Sequence, residues 1–156
     1  MKAIKIVKEG RVEIMDIPQP TVKDGHVLVK VDYVGFCGSD LNTFRGLNPL
    51  VNLPVIPGHE IGATVVELGT NVTTDLKVGT KVTVNPYSNC GVCTACKNNR
   101  PNACRYNETM GVQRDGAMTE YLVLPVEKII AGGQLSSKEL ALVEPMSVGF
   151  HAVDRA

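Results

Sequence analysis

The chain has 156 residues, 44% hydrophobic and 21% charged, with 16 Lys and Arg balanced by 16 Asp and Glu. That length is one compact domain, or one domain and the start of another, and it can bury a sizeable core, which excludes a disordered chain. A net charge of zero, a pI near 6.8, no Trp and only three Phe and four Tyr argue against nucleic acid or an anionic membrane as a partner.

In chain order, Met1-Lys-Ala-Ile-Lys-Ile-Val-Lys-Glu places charges where a signal peptide needs an apolar run. No stretch approaches the roughly 18 apolar residues of a membrane span, so a soluble, cytoplasmic protein is expected. From the start to about Val84 the sequence reads as β. Val27-Leu-Val-Lys-Val-Asp-Tyr-Val alternates, which predicts Val27, Val29 and Val31 on one face and Leu28, Lys30 and Asp32 on the other. Ser39 to Arg45 predicts a short helix stopped by Gly46. Thr64-Val-Val-Glu-Leu and Lys81-Val-Thr-Val are short β-branched strands with turn residues between them, and Glu120 to Val126 is a later strand. His26, just after the Lys23-Asp-Gly turn, is expected in solvent. Ser136-Ser-Lys-Glu139 is a capping box that opens a helix, and Pro145 suits the first position of another. There, Met146, Phe150 and Val153 recur at helical spacing as a stripe for burial. Met110, Met118 and Met146 read as core or pocket lining. Short strands with frequent Gly and Pro turns point to a mainly β barrel or sandwich with short helices.

Four of the five cysteines fall within fifteen residues, in Cys90-Gly-Val-Cys93-Thr-Ala-Cys96-Lys-Asn-Asn-Arg-Pro-Asn-Ala-Cys104. Two-residue gaps let the chain turn so that neighbouring sulfurs reach one tetrahedral ion, and the longer gap closes the loop from the other side. Four thiolates leave no open position, so such a zinc site is structural. An iron–sulfur centre also uses two-residue gaps, but it wants a short last gap and a Pro after the final Cys, and here Arg105 follows Cys104. Disulfides come second to metal in an intracellular chain. Lys97 to Arg100 reads as the solvated rim of this lobe.

A second constellation lies elsewhere. Gly35-Phe-Cys37-Gly-Ser39-Asp40 and Pro57-Gly58-His59-Glu60 supply a thiolate, an imidazole and a carboxylate. All three are zinc ligands, and three protein ligands leave a place for water or substrate. By themselves, a lone Cys beside Gly is equally a small buried hydrophobe, and a His-Glu pair equally surface polar chemistry.

Taken together, these motifs resemble the zinc-dependent medium-chain alcohol dehydrogenases of the polyol, or sorbitol-dehydrogenase-like, type. The resemblance runs along essentially the whole chain. It rests on Cys37-Gly-Ser-Asp, on Gly58-His59-Glu60 with Gly69 and Val72, on the four-cysteine lobe, and on Asp115-Gly-Ala-Met-Thr-Glu-Tyr121. It implies a GroES-like β-barrel catalytic domain over residues 1–145, with a structural zinc lobe at 86–106. Residues 146–156 would begin a helix leading to a nucleotide-binding domain. It further implies catalytic zinc on Cys37, His59 and Glu60, with Asp40 accepting a hydrogen bond from the His59 ring and Ser39 passing the substrate's proton outward. Glu144-Pro-Met-Ser-Val-Gly resembles the polyol-type segment, where ethanol-type members place a third ligand, a Cys. Glu144 would face the zinc directly or through its water, or else cap its helix. Phe44 and Leu47 would form apolar walls.

The implied activity is oxidation of a secondary alcohol or sugar alcohol to a ketone with NAD or NADP. Two Zn2+ ions, one catalytic and one structural, and a homo-oligomer of the full-length protein are implied with it. The rival is a zinc-binding interaction module that has kept the barrel without redox chemistry. Three departures stand out. Asn42 replaces a His that many members use to carry the proton to solvent, Ala63 replaces a signature Gly, and no Gly-x-Gly-x-x-Gly turn follows Gly132-Gly133. These 156 residues alone are therefore expected to bind zinc without turning over. An exposed apolar patch is expected near residues 146–156, with His151 packing against the absent domain.

Overall fold

A computed structural model describes all of residues 1–156. The fold is mainly β, in two sheets. β1 (Lys2–Lys8) and β2 (Arg11–Asp16) form an antiparallel hairpin, turned at Gly10 with φ +68. The second sheet is antiparallel throughout and has the order β6-β3-β4-β5-β7. Its strands are β3 (His26–Gly35), β4 (Glu60–Leu68), β5 (Lys81–Val84), β6 (Tyr121–Pro125) and β7 (Ile129–Ala131). β1 docks the hairpin onto this sheet's loops, with Ile4 N donating to Met118 O at 2.8 Å and Ile6 N to Val55 O at 2.9 Å. The helices are short: α1 (Gly38–Phe44), α2 (Thr94–Lys97), α3 (Ser137–Leu140) and the longer α4 (Val143–Arg155). No helix is long and apolar enough to cross a membrane.

Val27, Val29, Ile61, Ala63, Val65, Val82, Val84 and Leu124 from four strands meet Met110 and Ala117 from the connecting segments in one core. The predicted alternation of β3 holds only in part. Register shifts against β4 fall between Leu28 and Val29 and again between Val31 and Tyr33, and Leu28 is buried along with both of its neighbours. The first shift leaves Val66 of β4 unpaired and the second leaves Asp32 of β3 unpaired, so the two-residue period of β3 is interrupted at Asp32, while Leu28 is buried on the opposite face from Val27 and Val29. β4 begins at Glu60, four residues before the strand the β-branched run suggested, because Glu60 to Ala63 pair with Gly35 to Val31 of β3. Ala63, the departure from the family signature, sits fully buried between Val31 and Val82, so its methyl is core filling.

His26, expected in solvent after the turn, is instead the half-buried first residue of β3, its Nδ1 2.7 Å from Asp24 O. The Ser136 capping box forms as read: Ser136 N donates to Glu139 Oε2 at 2.8 Å, and Glu139 N to Ser136 Oγ at 3.3 Å. α4 starts at Val143, so Pro145 lies at its third position rather than its first, where a missing N–H still costs nothing. The helical stripe is real but unburied in this chain, with Met146, Phe150 and Val153 exposed by 68%, 75% and 79%. His151 is exposed beside them.

Candidate metal centres

The four-cysteine lobe hangs from the end of β5 and has almost no apolar interior of its own. α2 and the 3-10 turn at Pro101–Ala103 contain no buried residue, and of the four cysteines only Cys104 is buried. All five cysteines are free thiols, so the disulfide reading is set aside. Cys93 Sγ lies 3.6 Å from Cys96 Sγ and 3.9 Å from Cys104 Sγ, and all four sulfurs fall within 4.8 Å of one another. Sulfurs bound tetrahedrally to one zinc at about 2.3 Å stand about 3.8 Å apart. A group this tight accommodates one ion and leaves no room for a multi-iron cluster. Main-chain N–H groups of Cys90 and Tyr106 point at Cys104 Sγ, and that of Cys93 at Cys90 Sγ, each at 3.3 Å. Such donors favour thiolate over thiol. The amides of Cys96 and Arg105 bring the Cys93 thiol down to about 6, whereas desolvation beside the other sulfurs pushes Cys96 up to about 12. A metal-free lobe thus keeps protons that an ion displaces. Lys97, Asn98, Asn99 and Arg100 form its exposed rim.

The second centre joins two segments of chain. Cys37 immediately precedes α1, and His59-Glu60 leads into β4. One ligand atom each of Cys37, His59 and Glu60 lies within 4.8 Å of the other two, and His59 and Glu60 are buried. His59 Nδ1 is a buried ring nitrogen with no hydrogen-bond partner. A sulfur, a nitrogen and a carboxylate oxygen gathered this closely are a set that zinc accepts with a coordination position left over.

Glycine makes this geometry possible. Gly35 pairs with Glu60 across β3 and β4, and a Cβ there would lie only 1.9 Å from Glu60 Oε2 and 2.8 Å from its Cβ. Any side chain at position 35 therefore displaces the Glu60 carboxylate. The sequence offered one signal for this, the Gly two residues before Cys37, but its partner across the sheet becomes visible only with the register.

Asp40 is 1% exposed, and its role differs from the expected one. Its carboxylate does not take a hydrogen bond from the His59 ring. Oδ2 accepts from Cys37 N at 3.1 Å and Oδ1 from Gly58 N at 3.2 Å, so both oxygens are committed to main chain. Asp40 thereby ties the Cys37 loop to the Gly58-His59 loop and sets the spacing between the two ligands. Burial, the largest influence, holds its carboxyl above the ordinary range, against the opposing pull of His59 and the two amides. Ser39 Oγ, one residue earlier, is buried with no hydrogen-bond partner. An orphaned hydroxyl beside a three-ligand group suits a ligand's hydroxyl.

Around this centre, Glu144 is not a fourth member of the group. It stands in the first turn of α4, half-buried, and its Oε1 accepts from the Tyr87 hydroxyl at 2.8 Å. Tyr87 is the residue that the sequence reading missed. It lies just after β5, and desolvation, the Glu144 carboxylate and the nearby Cys37 thiolate together push its phenol up to about 12. Phe44 is half-buried at the end of α1, while Leu47 is 67% exposed and Asn42 is exposed on α1. Met110 is core, and Met118 packs against Gly58 behind His59.

Residues 23–133 match the alcohol dehydrogenase GroES-like domain. The chain is 40% identical over 141 residues to L-galactonate-5-dehydrogenase of Escherichia coli K12, covering 90% of this chain and 41% of that protein. It is 37% identical over 160 residues to sorbitol dehydrogenase of Bacillus subtilis 168, covering 99% and 45%. Among solved structures, the RspB alcohol dehydrogenase of E. coli CFT073 in complex with NADH superposes with a TM-score of 0.83 at 34% identity, over 93% of this chain and 42% of that one. The chain thus spans less than half the length of these relatives. Matched in domain, in sequence and in fold, the chain belongs to the zinc-type medium-chain alcohol dehydrogenase family and carries its GroES-like domain.

Proposed function

We propose that this chain is the metal-binding catalytic half of an NAD(P)-dependent dehydrogenase that oxidises a secondary alcohol of a polyol or sugar alcohol to the ketone. The observation that carries the reading is the convergence of Cys37, His59 and Glu60, separate from the four-cysteine lobe. A structural lobe has no use for a second ligand set with an open position. Residues 1–145 form the catalytic domain in this reading, and α4 leads toward a nucleotide-binding domain.

Zinc, when bound, supplies a Lewis acid that lowers the pKa of the alcohol, and the nicotinamide supplies the hydride acceptor. The chain's own residues do the rest. Cys37, His59 and Glu60 would hold the ion, and Asp40 fixes the distance between the first two through the Cys37 and Gly58 amides. Ser39 Oγ, buried and unpaired, takes the alcohol's proton through a hydroxyl-to-hydroxyl hydrogen bond. An Asn does not exchange protons near neutral pH, so the proton leaves Ser39 through water or a cofactor hydroxyl and not through Asn42. Phe44 supplies the apolar wall that keeps the pocket dry.

The test uses the full-length protein with NAD+ or NADP+ and a panel of sorbitol, galactitol and 2-propanol, read as nicotinamide reduction. Turnover is expected, and Cys37→Ser is expected to lower it about a thousandfold, the equivalent of several kcal/mol of transition-state stabilisation. No reduction with any alcohol, or a rate indifferent to Cys37→Ser, would favour the non-catalytic zinc module instead.

A further inference from the structure

We propose that Tyr87 is a specificity-determining residue, its hydroxyl held by Glu144 so that it accepts a hydrogen bond from a second hydroxyl of the alcohol and favours polyols over monohydric alcohols. This rests on the metal-centre reading above and adds to it the group that reads the substrate.

The argument is one of donor and acceptor count. A tyrosine hydroxyl carries a single proton. Here that proton is donated to Glu144 Oε1 at 2.8 Å, across 57 residues of sequence, so the phenolic oxygen can only accept from anything else. A carboxylate is an acceptor only, so the remaining oxygen of Glu144 is in the same position. Thr83 Oγ1 donates to Ile61 O at 2.8 Å, so the end of β5 runs beside the His59-Glu60 end of β4, and the Tyr87–Glu144 pair that follows β5 offers that side acceptors and no donors. Hydroxyl groups satisfy it, whereas a carbonyl or an anionic group does not. A monohydric alcohol has one O–H, which is spent at the reacting position next to Ser39. A vicinal diol has another to give.

Tyr87 also lines a polar cleft of about 410 Å³ with Asn85, Ser88, Asn89, Asn107 and Lys128. Lys128 Nζ donates to Asn89 Oδ1 at 3.3 Å, and the carboxamides and the Ser88 hydroxyl can each donate or accept. A chain of hydroxyls finds partners along it, while an alkyl chain strips these groups of water without replacing their hydrogen bonds.

Cobalt(II) loaded in place of zinc gives visible bands that respond when an alcohol reaches the ion, so binding is read without turnover. Sorbitol and 2-propanol are titrated separately into the wild-type protein and Tyr87→Phe. Tyr87 is 45% exposed, so the variant removes a surface hydroxyl without opening the core. The expected result is a three- to tenfold weaker sorbitol response in the variant, in line with one lost hydrogen bond, with the 2-propanol response unchanged. An unchanged sorbitol response, or an equal loss for both alcohols, overturns the assignment of Tyr87 while leaving the metal centre standing. A cobalt spectrum that Cys37→Ser leaves unaltered, or a wild-type spectrum that neither alcohol perturbs, brings down the metal-centre reading and this inference with it.

Discussion

Cys93→Ser is expected to strip the metal from the four-cysteine lobe and unfold residues 90–104 while the five-stranded sheet stays folded. The reason is where the burial lies. Neither α2 nor the following 3-10 turn buries a residue, and the apolar cluster that holds the sheet together draws no residue from 90–104. With no hydrophobic interior, the free energy that orders this segment has to come from the ion; structural zinc binding contributes about 10–16 kcal/mol in comparable small sites. Cys93 is central to the group, with its sulfur 3.6 and 3.9 Å from those of Cys96 and Cys104. Limited trypsin digestion checks this. Cleavage at Lys97 and Arg105 should accelerate about tenfold or more, and the far-ultraviolet signal of the strands should persist. Equal protection of the variant would show that packing, not metal, holds the lobe.

Gly62→Ala is the second large effect, and it acts on the barrel itself. A Cβ on Gly62 would lie 1.7 Å from Ser137 O, 2.7 Å from Ser137 C and 3.2 Å from Ala141 N. These are main-chain atoms of α3 and its end, so no side-chain rotation relieves the clash. α3 is also pinned from its other side, where Ser137 Oγ donates to Asp32 Oδ2 at 2.9 Å, the oxygen that Thr64 Oγ1 reaches at 2.5 Å. The helix must move off the sheet or β4 must bend. Overpacking of this kind costs about 3 kcal/mol, which corresponds to a fall of about 6–12 °C in Tm at this chain length. Because β4 starts at Glu60, two residues away, loss of metal from the Cys37 centre should accompany the lower Tm. A variant that melts with the wild type would mean that α3 does not bear on β4 as described.

The contrast between Gly62 and Ala63 shows where sequence reading stops. Ala63 drew attention as a departure from a signature, yet its methyl fills the core, while the adjacent glycine is the position with no room. Residue types and spacings carried the four-cysteine lobe, the capped α3 and the strands read at 27–34 and 81–84, because each rests on local pattern, whereas the Cys37-His59-Glu60 set was implied only by the family resemblance. Contacts between distant segments were not legible. The resemblance implies Asp40 as the partner of the His59 ring, but its two oxygens accept from the Cys37 and Gly58 amides, contacts that depend on how two separate loops meet. Tyr87 and Glu144 are 57 positions apart, and nothing near Tyr87 in the sequence marks it as different from an ordinary strand-end aromatic. Gly35 needed the β3–β4 register, which two bulges shift, before its clearance for Glu60 could be seen.

Two independent metal centres on one chain are the central claim, and elemental analysis of the purified protein tests it most directly. The account predicts two zinc ions per chain, falling to one in Cys37→Ser with the lobe cysteines intact. A single zinc that Cys37→Ser does not remove would contradict it, leaving the four-cysteine lobe as the only metal site and Cys37, His59 and Glu60 without their proposed role.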